Sequence, residues 1–168
     1  MNTISFRFAT LNDLPSIVAI YNATIPSRMV TADVTPVSIA DKLAWFRAHD
    51  SKHRPLWVAA DNSGQIVGWL SFQSFYGRPA YEKTIELSIY LDERVRGKGL
   101  GSYCLSFAES EAKARGITNI MGFIFEHNIP SIQLFEKYGF EHWGKFPNIA
   151  AMDGELYSLA VYGKAISL

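Results

Sequence analysis

Residues 84–114 read TIELSIYLDERVRGKGLGSYCLSFAESEAKA. An alternating apolar strand enters a basic turn with glycine at 97, 99 and 101, and that turn opens directly into a helix. Unpaired backbone N–H groups and the positive end of a helix dipole then converge on one point, which makes an anion site suited to a phosphate. On the strand, alternation puts Ile85, Leu87, Ile89 and Leu91 on one face and Glu86, Ser88 and Tyr90 on the other. On the helix, placed at about 99–115, Leu100, Cys104, Phe107 and Ala108 form an apolar stripe, and Gly116 is a natural stop.

Upstream, Ile4 to Ala9 alternates as a first strand, and Asp13-Leu14-Pro15 opens a helix whose buried face is Leu14, Ile17, Val18 and Tyr21. Asn22 to Val34 is polar and irregular and reads as a loop over a pocket. Thr35 as N-cap and Pro36 as first residue predict a second helix with Ile39, Leu43 and Phe46 inward. Leu56–Ala60 and Gln65–Phe75 are strands joined by Asp61-Asn62-Ser63-Gly64, and a third strand is expected from Tyr81 to Leu91. Downstream, Asn119–Phe125 is a strand and Asn128-Ile129-Pro130 starts a helix, with Ile132 and Phe135 inward. Phe140–Phe146 and Gly154–Ala165 close the chain as strands with a turn near Asp153. The order βααβββαβαββ argues for an α/β (α+β) fold, a mixed sheet flanked by helices.

With 168 residues, 48% of them apolar, the chain is expected to form a single globular domain over 1–168. Lys+Arg and Asp+Glu both number 16, which argues against a general nucleic-acid binder. One cysteine excludes an internal disulfide and fits a reducing compartment. The first residues lack the pattern of a secretory signal, and no apolar run approaches the ~20 residues that span a bilayer. The expected location is the cytoplasm, with no membrane partner. His49, His53, His127 and His142 show no ligand spacing, so no metal is expected.

Three phosphate motifs resemble the turn in part. It lacks the Gly-Lys-Ser/Thr ending of a P-loop. Its G-x-G-x-G spacing, with Ser102 at the last glycine position, departs from the dinucleotide fingerprint. It does satisfy R/Q-x-x-G-x-G/A, as Arg96-Gly97-Lys98-Gly99-Leu100-Gly101, and here the chain resembles the GNAT superfamily of acyl-CoA-dependent N-acetyltransferases. Tyr81–Tyr90, Asn128–Phe140, Ile20-Tyr21-Asn22-Ala23 and Ala44-Trp45-Phe46 resemble its phosphinothricin and methionine sulfoximine (methionine sulfone) N-acetyltransferase group.

That resemblance implies a mostly antiparallel twisted sheet of about seven strands with about four helices, acetyl-CoA as co-substrate, and direct acetyl transfer in a ternary complex to a small amino-acid-like amine. It implies a homodimer, with a mobile Asn22–Val34 loop near the acceptor site. Arg96, Gly97, Lys98, Gly99, Leu100, Gly101 and Ser102 would hold the pyrophosphate, with Arg94 adding charge. The strand end Ile89, Tyr90 and Leu91 would meet the pantetheine and acetyl units, and Asn128 and Ser131 would contact the cofactor, Asn128 also capping its helix. Glu86 would be the general base, flanked by Leu87 and Ser88 in the acceptor site. Tyr76, Gly77 and Arg78 match a substrate-contacting loop, where Arg78 could pair with a carboxylate. Where many members carry a tyrosine acid, or histidine in the closer group, this chain has Phe135, which donates no proton. Other acceptors (a protein N-terminus, lysine, a polyamine, an aminoglycoside) and a CoA-binding module without turnover are the alternatives.

Overall fold

A computed structural model describes residues 3–167. The elements are β1 (Ser5–Phe8), α1 (Leu14–Thr24), α2 (Ile39–Arg47), β2 (Leu56–Ala60), β3 (Ile66–Ser74), β4 (Thr84–Leu91), α3 (Leu100–Ala114), β5 (Asn119–Phe125), α4 (Ile129–Lys137), β6 (Glu141–Met152) and β7 (Glu155–Ala165). The strands form one seven-stranded sheet in the order β1-β2-β3-β4-β5-β7-β6. Only β4 and β5 run parallel; the other neighbours are antiparallel. The expected order of elements and the mostly antiparallel sheet are both present.

Alternation sorts the core into two layers. Trp57 and Ala59 of β2, Leu70 and Phe72 of β3, and Ile85 and Leu87 of β4 meet Leu100, Cys104, Leu105, Ala108 and Ala112 of α3 and Ile132 and Phe135 of α4. On the other face Leu56, Val58 and Trp69 meet Ile17, Ile20 and Tyr21 of α1. Full burial of a side chain such as Phe72 or Leu70 contributes about 1.5–3 kcal/mol. A register shift at Ala59/Ala60 leaves Val67 as an extra residue on β3, so Val67 and Leu70 share one face while Trp69 takes the other.

Local chemistry explains the starts of the first helices. Asp13 is buried, accepts two hydrogen bonds from the Arg7 guanidinium (2.7 and 2.9 Å) and one from the Thr10 N–H (2.7 Å), and so fixes the approach to α1. The second helix begins later than expected. Ser38 and Asp41 form a reciprocal capping box (3.0 and 2.9 Å), which outcompetes Pro36 as a start signal. Residues 35–37 stay outside the helix, with Val37 tied to the Asn22 side chain through both its N–H and its carbonyl (3.0 and 2.9 Å). Ile39 is consequently exposed, and the inward side of α2 is Trp45 and Phe46.

Three other boundaries move. A 3-10 turn at Pro79–Tyr81 delays β4 to Thr84. α1 runs to Thr24, so less of the chain is loop than expected. β6 continues to Met152 and meets β7 through Asp153-Gly154, both at positive φ (53° and 82°), the two-residue turn that matches strand twist.

Candidate active site

Glu86 stands on β4 opposite Gln73 of β3, facing the α1–α2 layer. It shares a cleft of about 210 Å³ with Tyr21, Lys42, Trp45, Trp69, Ser71 and Tyr90. Ser88 lines the same cleft, as the alternation of β4 requires, whereas Leu87 points into the opposite core. Burial pushes the Glu86 carboxyl above its ordinary range, and no side chain among the described residues forms a hydrogen bond or ion pair with it. Ser71 is fully buried on the cleft wall, and its hydroxyl has no partner among the described residues.

Aromatic packing fixes the walls. Trp69 stacks on Tyr90 with centroids 4.5 Å apart, meets Trp45 edge-on at 5.3 Å, and donates from Nε1 to the Ile17 carbonyl (3.1 Å). Burial, foremost, pushes the Tyr90 hydroxyl up to about 12. Tyr21 lies 5.1 Å from Tyr90 and bonds the loop residues Thr31 (2.5 Å) and Asp33. That loop is held rather than loose. Arg28 pairs with Asp153 (2.8 Å), and its carbonyl accepts from His127 (2.8 Å). The Met29 carbonyl accepts from Asn128 (3.1 Å).

Behind Glu86 the sheet opens. β4 and β5 pair only through Thr84–Glu86 and Asn119–Met121, and then separate. The Asp92 N–H donates to Val67 (2.8 Å) and the Lys83 carbonyl accepts from Thr118 (2.8 Å). Alternation between these anchors gives the backbones of Glu86, Ser88 and Tyr90 to β3 and turns those of Leu87, Ile89 and Leu91 toward the gap. Phe135 flanks this opening. Its ring lies where a Cβ on Gly122 would be, 2.7 Å from the ideal position, and packs edge-on against Phe140.

The glycine turn follows the strand. Gly97 and Gly99 have φ of 72° and 82°, conformations that ordinary side chains resist. Among the described residues, no amide N–H from Gly97 to Ser102 has a hydrogen-bond partner, and α3 starts at Leu100 without a side-chain cap. Gly101 allows close packing, since a Cβ there would stand 2.8 Å from Leu134 of α4. Arg94 departs from expectation: it is bound to Asp92 (2.7 Å), whose carboxyl it draws down to about 2. Arg96 reaches the Leu91 carbonyl (3.3 Å), and Lys98 is exposed.

The profile of the acetyltransferase (GNAT) family matches residues 17–140. This chain belongs to that family. It is 54% identical, over 98% of its own length and 100% of the other's, to YwnH of Bacillus subtilis (strain 168), provisionally named a phosphinothricin acetyltransferase. It is 34% identical, over 92% and 90%, to an L-methionine sulfoximine/L-methionine sulfone acetyltransferase of Pseudomonas paraeruginosa (strain DSM 24068 / PA7). A GNAT superfamily phosphinothricin acetyltransferase from Sinorhizobium meliloti, solved in complex with acetyl-CoA, superposes with a TM-score of 0.91 at 30% identity, covering 98% of this chain and 89% of that one.

The residues of this GNAT chain fit an acyl-CoA. The run of unpartnered amides from Gly97 to Ser102 suits a pyrophosphate, and the gap beside Leu87, Ile89 and Leu91 suits an extended arm. Asn128 caps α4 through the Ser131 N–H (3.3 Å), while its amide nitrogen is already engaged by Met29. Tyr90 gives the cleft its side chain rather than the gap its backbone. Gly77 and Arg78 line a different cleft, with Lys83 and Arg115, and the exposed Tyr76 adjoins it, so this loop does not join Glu86 within one chain. Lys42, Trp69, Ser71 and Gln73 were missed as site residues. Cross-strand pairing with β4 could have found the last three, had the bulge at Val67 not hidden which face of β3 they occupy.

Proposed function

We propose that this chain transfers the acetyl group of acetyl-CoA to the amine of a small amino-acid-like acceptor of the phosphinothricin, methionine sulfoximine or methionine sulfone type, in one ternary complex. The observation that carries the reading is Glu86: a half-buried carboxylate without a partner among the described residues, in a small cleft, on the strand that leads to the anion-binding turn. A cleft of about 210 Å³ lies below the ~300 Å³ at which drug-sized pockets begin, which favours a small acceptor over a peptide or an aminoglycoside.

Acetyl-CoA supplies the thioester whose acyl carbon is attacked. An amine is protonated at neutral pH, and Glu86 takes that proton, directly or through water. Its raised pKa narrows the gap to the amine and makes the transfer less uphill. The backbone N–H groups of Ile89 and Leu91 face the carbonyl oxygen as it gains charge. The N–C bond forms, the C–S bond breaks, and the electron pair leaves on sulfur. A thiol of pKa ~8.5 departs as thiolate without a protein acid, which accommodates Phe135. Gly97 to Ser102, with Arg96 and Lys98, hold the phosphates, and Asn128 and Ser131 border the cofactor.

A homodimer is part of the proposal. β6 is an edge strand exposed along almost its whole length, and it carries Trp143, Phe146 and Ile149 at 44–59% exposure. Such an edge calls for a partner. A reducing cytoplasm suits the single buried thiol of Cys104.

The test is CoA release, read with a thiol reagent, across a panel holding the three named acceptors, ordinary amino acids, a polyamine, an aminoglycoside and a peptide N-terminus. Turnover confined to the amino-acid-like amines is the expected result. Tight acetyl-CoA binding with no turnover anywhere would overturn the reading in favour of a CoA-binding module.

A further inference from the structure

The cleft around Glu86 contains a second charged residue, Lys42 of α2. A lysine on a surface helix ordinarily extends its ammonium into water. Here Nζ lies 4.8 Å from the ring centroid of Tyr21 and 5.5 Å from that of Trp45, so two aromatic faces hold it against the cleft. Among the described residues, no carboxylate comes within ion-pair distance of it, Glu86 included. The rest of the lining is neutral, made of aromatic and aliphatic side chains with Ser71, Gln73 and Ser88.

An acid and a cation therefore share one small cleft without neutralising each other. A zwitterionic α-amino acid presents the complementary pair, an ammonium for Glu86 and a carboxylate for Lys42. A polyamine presents only cations and would meet repulsion at Lys42. Arg78, the cation that the family resemblance offered for this task, lines the other cleft.

We propose that Lys42 is the carboxylate anchor of the acceptor site and selects amines that carry an α-carboxylate. The proposal rests on the amino-acid-acceptor reading above. Lys42 binds the carboxylate as a point charge, positioned by Tyr21 and Trp45, and thereby orients the amine toward Glu86.

The experiment measures kcat and KM for methionine sulfone and for its methyl ester in the wild type, Lys42→Met and Lys42→Arg. Met keeps the apolar stem that packs on the rings, and Arg keeps the charge. The expected result is a collapse of the wild-type preference for acid over ester in Lys42→Met. The acid should lose roughly ten- to a hundredfold more kcat/KM than the ester, through KM, with most of the loss recovered in Lys42→Arg. A preference unchanged in Lys42→Met, or lost equally in both variants, overturns the assignment of Lys42. Failure of the underlying reading looks different: the wild type then turns over none of phosphinothricin, methionine sulfoximine, methionine sulfone and the ester, which overturns both.

Discussion

Glu86 carries opposite consequences for chemistry and for stability. As the proposed base it must be ionised, so kcat/KM should rise with pH through a carboxyl pKa above the ordinary range. Loss of such a base costs about 10²–10⁴-fold, and Glu86→Gln should show that loss in kcat while acetyl-CoA still binds. The folded protein holds this proton more tightly than the unfolded chain does. Stability from the group is therefore complete below about pH 4 and is lost as pH rises through the folded-state pKa. Glu86→Gln should accordingly melt higher than the wild type at neutral pH, with the difference vanishing in acid. A variant that loses activity and also melts lower at neutral pH would point to a structural role instead. The place of Glu86 in the cleft was legible in the sequence because alternation on β4 fixes its face and the glycine turn fixes its neighbourhood. Lys42 was not legible, because its place depends on where α2 begins, and the Ser38–Asp41 capping box moved that start past Pro36.

At the scale of elements, β4, the turn and α3 form one unit. Gly99 caps α3 at φ 82° with open space where a Cβ would stand, so Gly99→Ala creates strain but no clash. Left-handed backbone costs a non-glycine residue about 1–2 kcal/mol. The bound form needs that conformation, so KM for acetyl-CoA should rise roughly five- to thirtyfold while KM for the acceptor stays near its wild-type value. Equal increases in both would contradict a dedicated anion site. This unit was readable because its signals are local: period-two alternation, three glycines, then a 3.6-residue stripe. The gap between β4 and β5 was not, since nothing in either strand alone records that pairing stops at Glu86 and Met121. The Asn22–Val34 loop was misjudged for a related reason. The resemblance implied a mobile loop, but Asp153, His127 and Asn128, which hold Arg28 and Met29, lie about a hundred residues away or more.

For the whole molecule, the exposed β6 edge makes association testable. Trp143 covers Gly163 so closely that a Cβ there would stand 2.0 Å from the indole, so Trp143 is a poor choice for mutation. Ile149 is 59% exposed and can be changed without touching the core. Ile149→Lys should convert a dimer into a monomer in sedimentation analysis, whereas a wild type that sediments as a monomer would remove the dimer from the proposal. The sheet itself has two leaves joined by a short spine of three residue pairs, and each leaf is continuous in sequence. Every residue lining the Glu86 cleft lies between Ile17 and Tyr90, while the anion turn and α4 come later. The candidate acceptor cleft and the anion-binding turn are thus written in successive parts of the chain, with the Ile89 and Leu91 backbone at their junction. A single recombination joint between Leu91 and Arg96 would separate them. Chimeras joined there to a relative of different preference should inherit the acceptor from the first parent and the cofactor affinity from the second, so new acceptors can arise by exchange of one leaf while the other is kept.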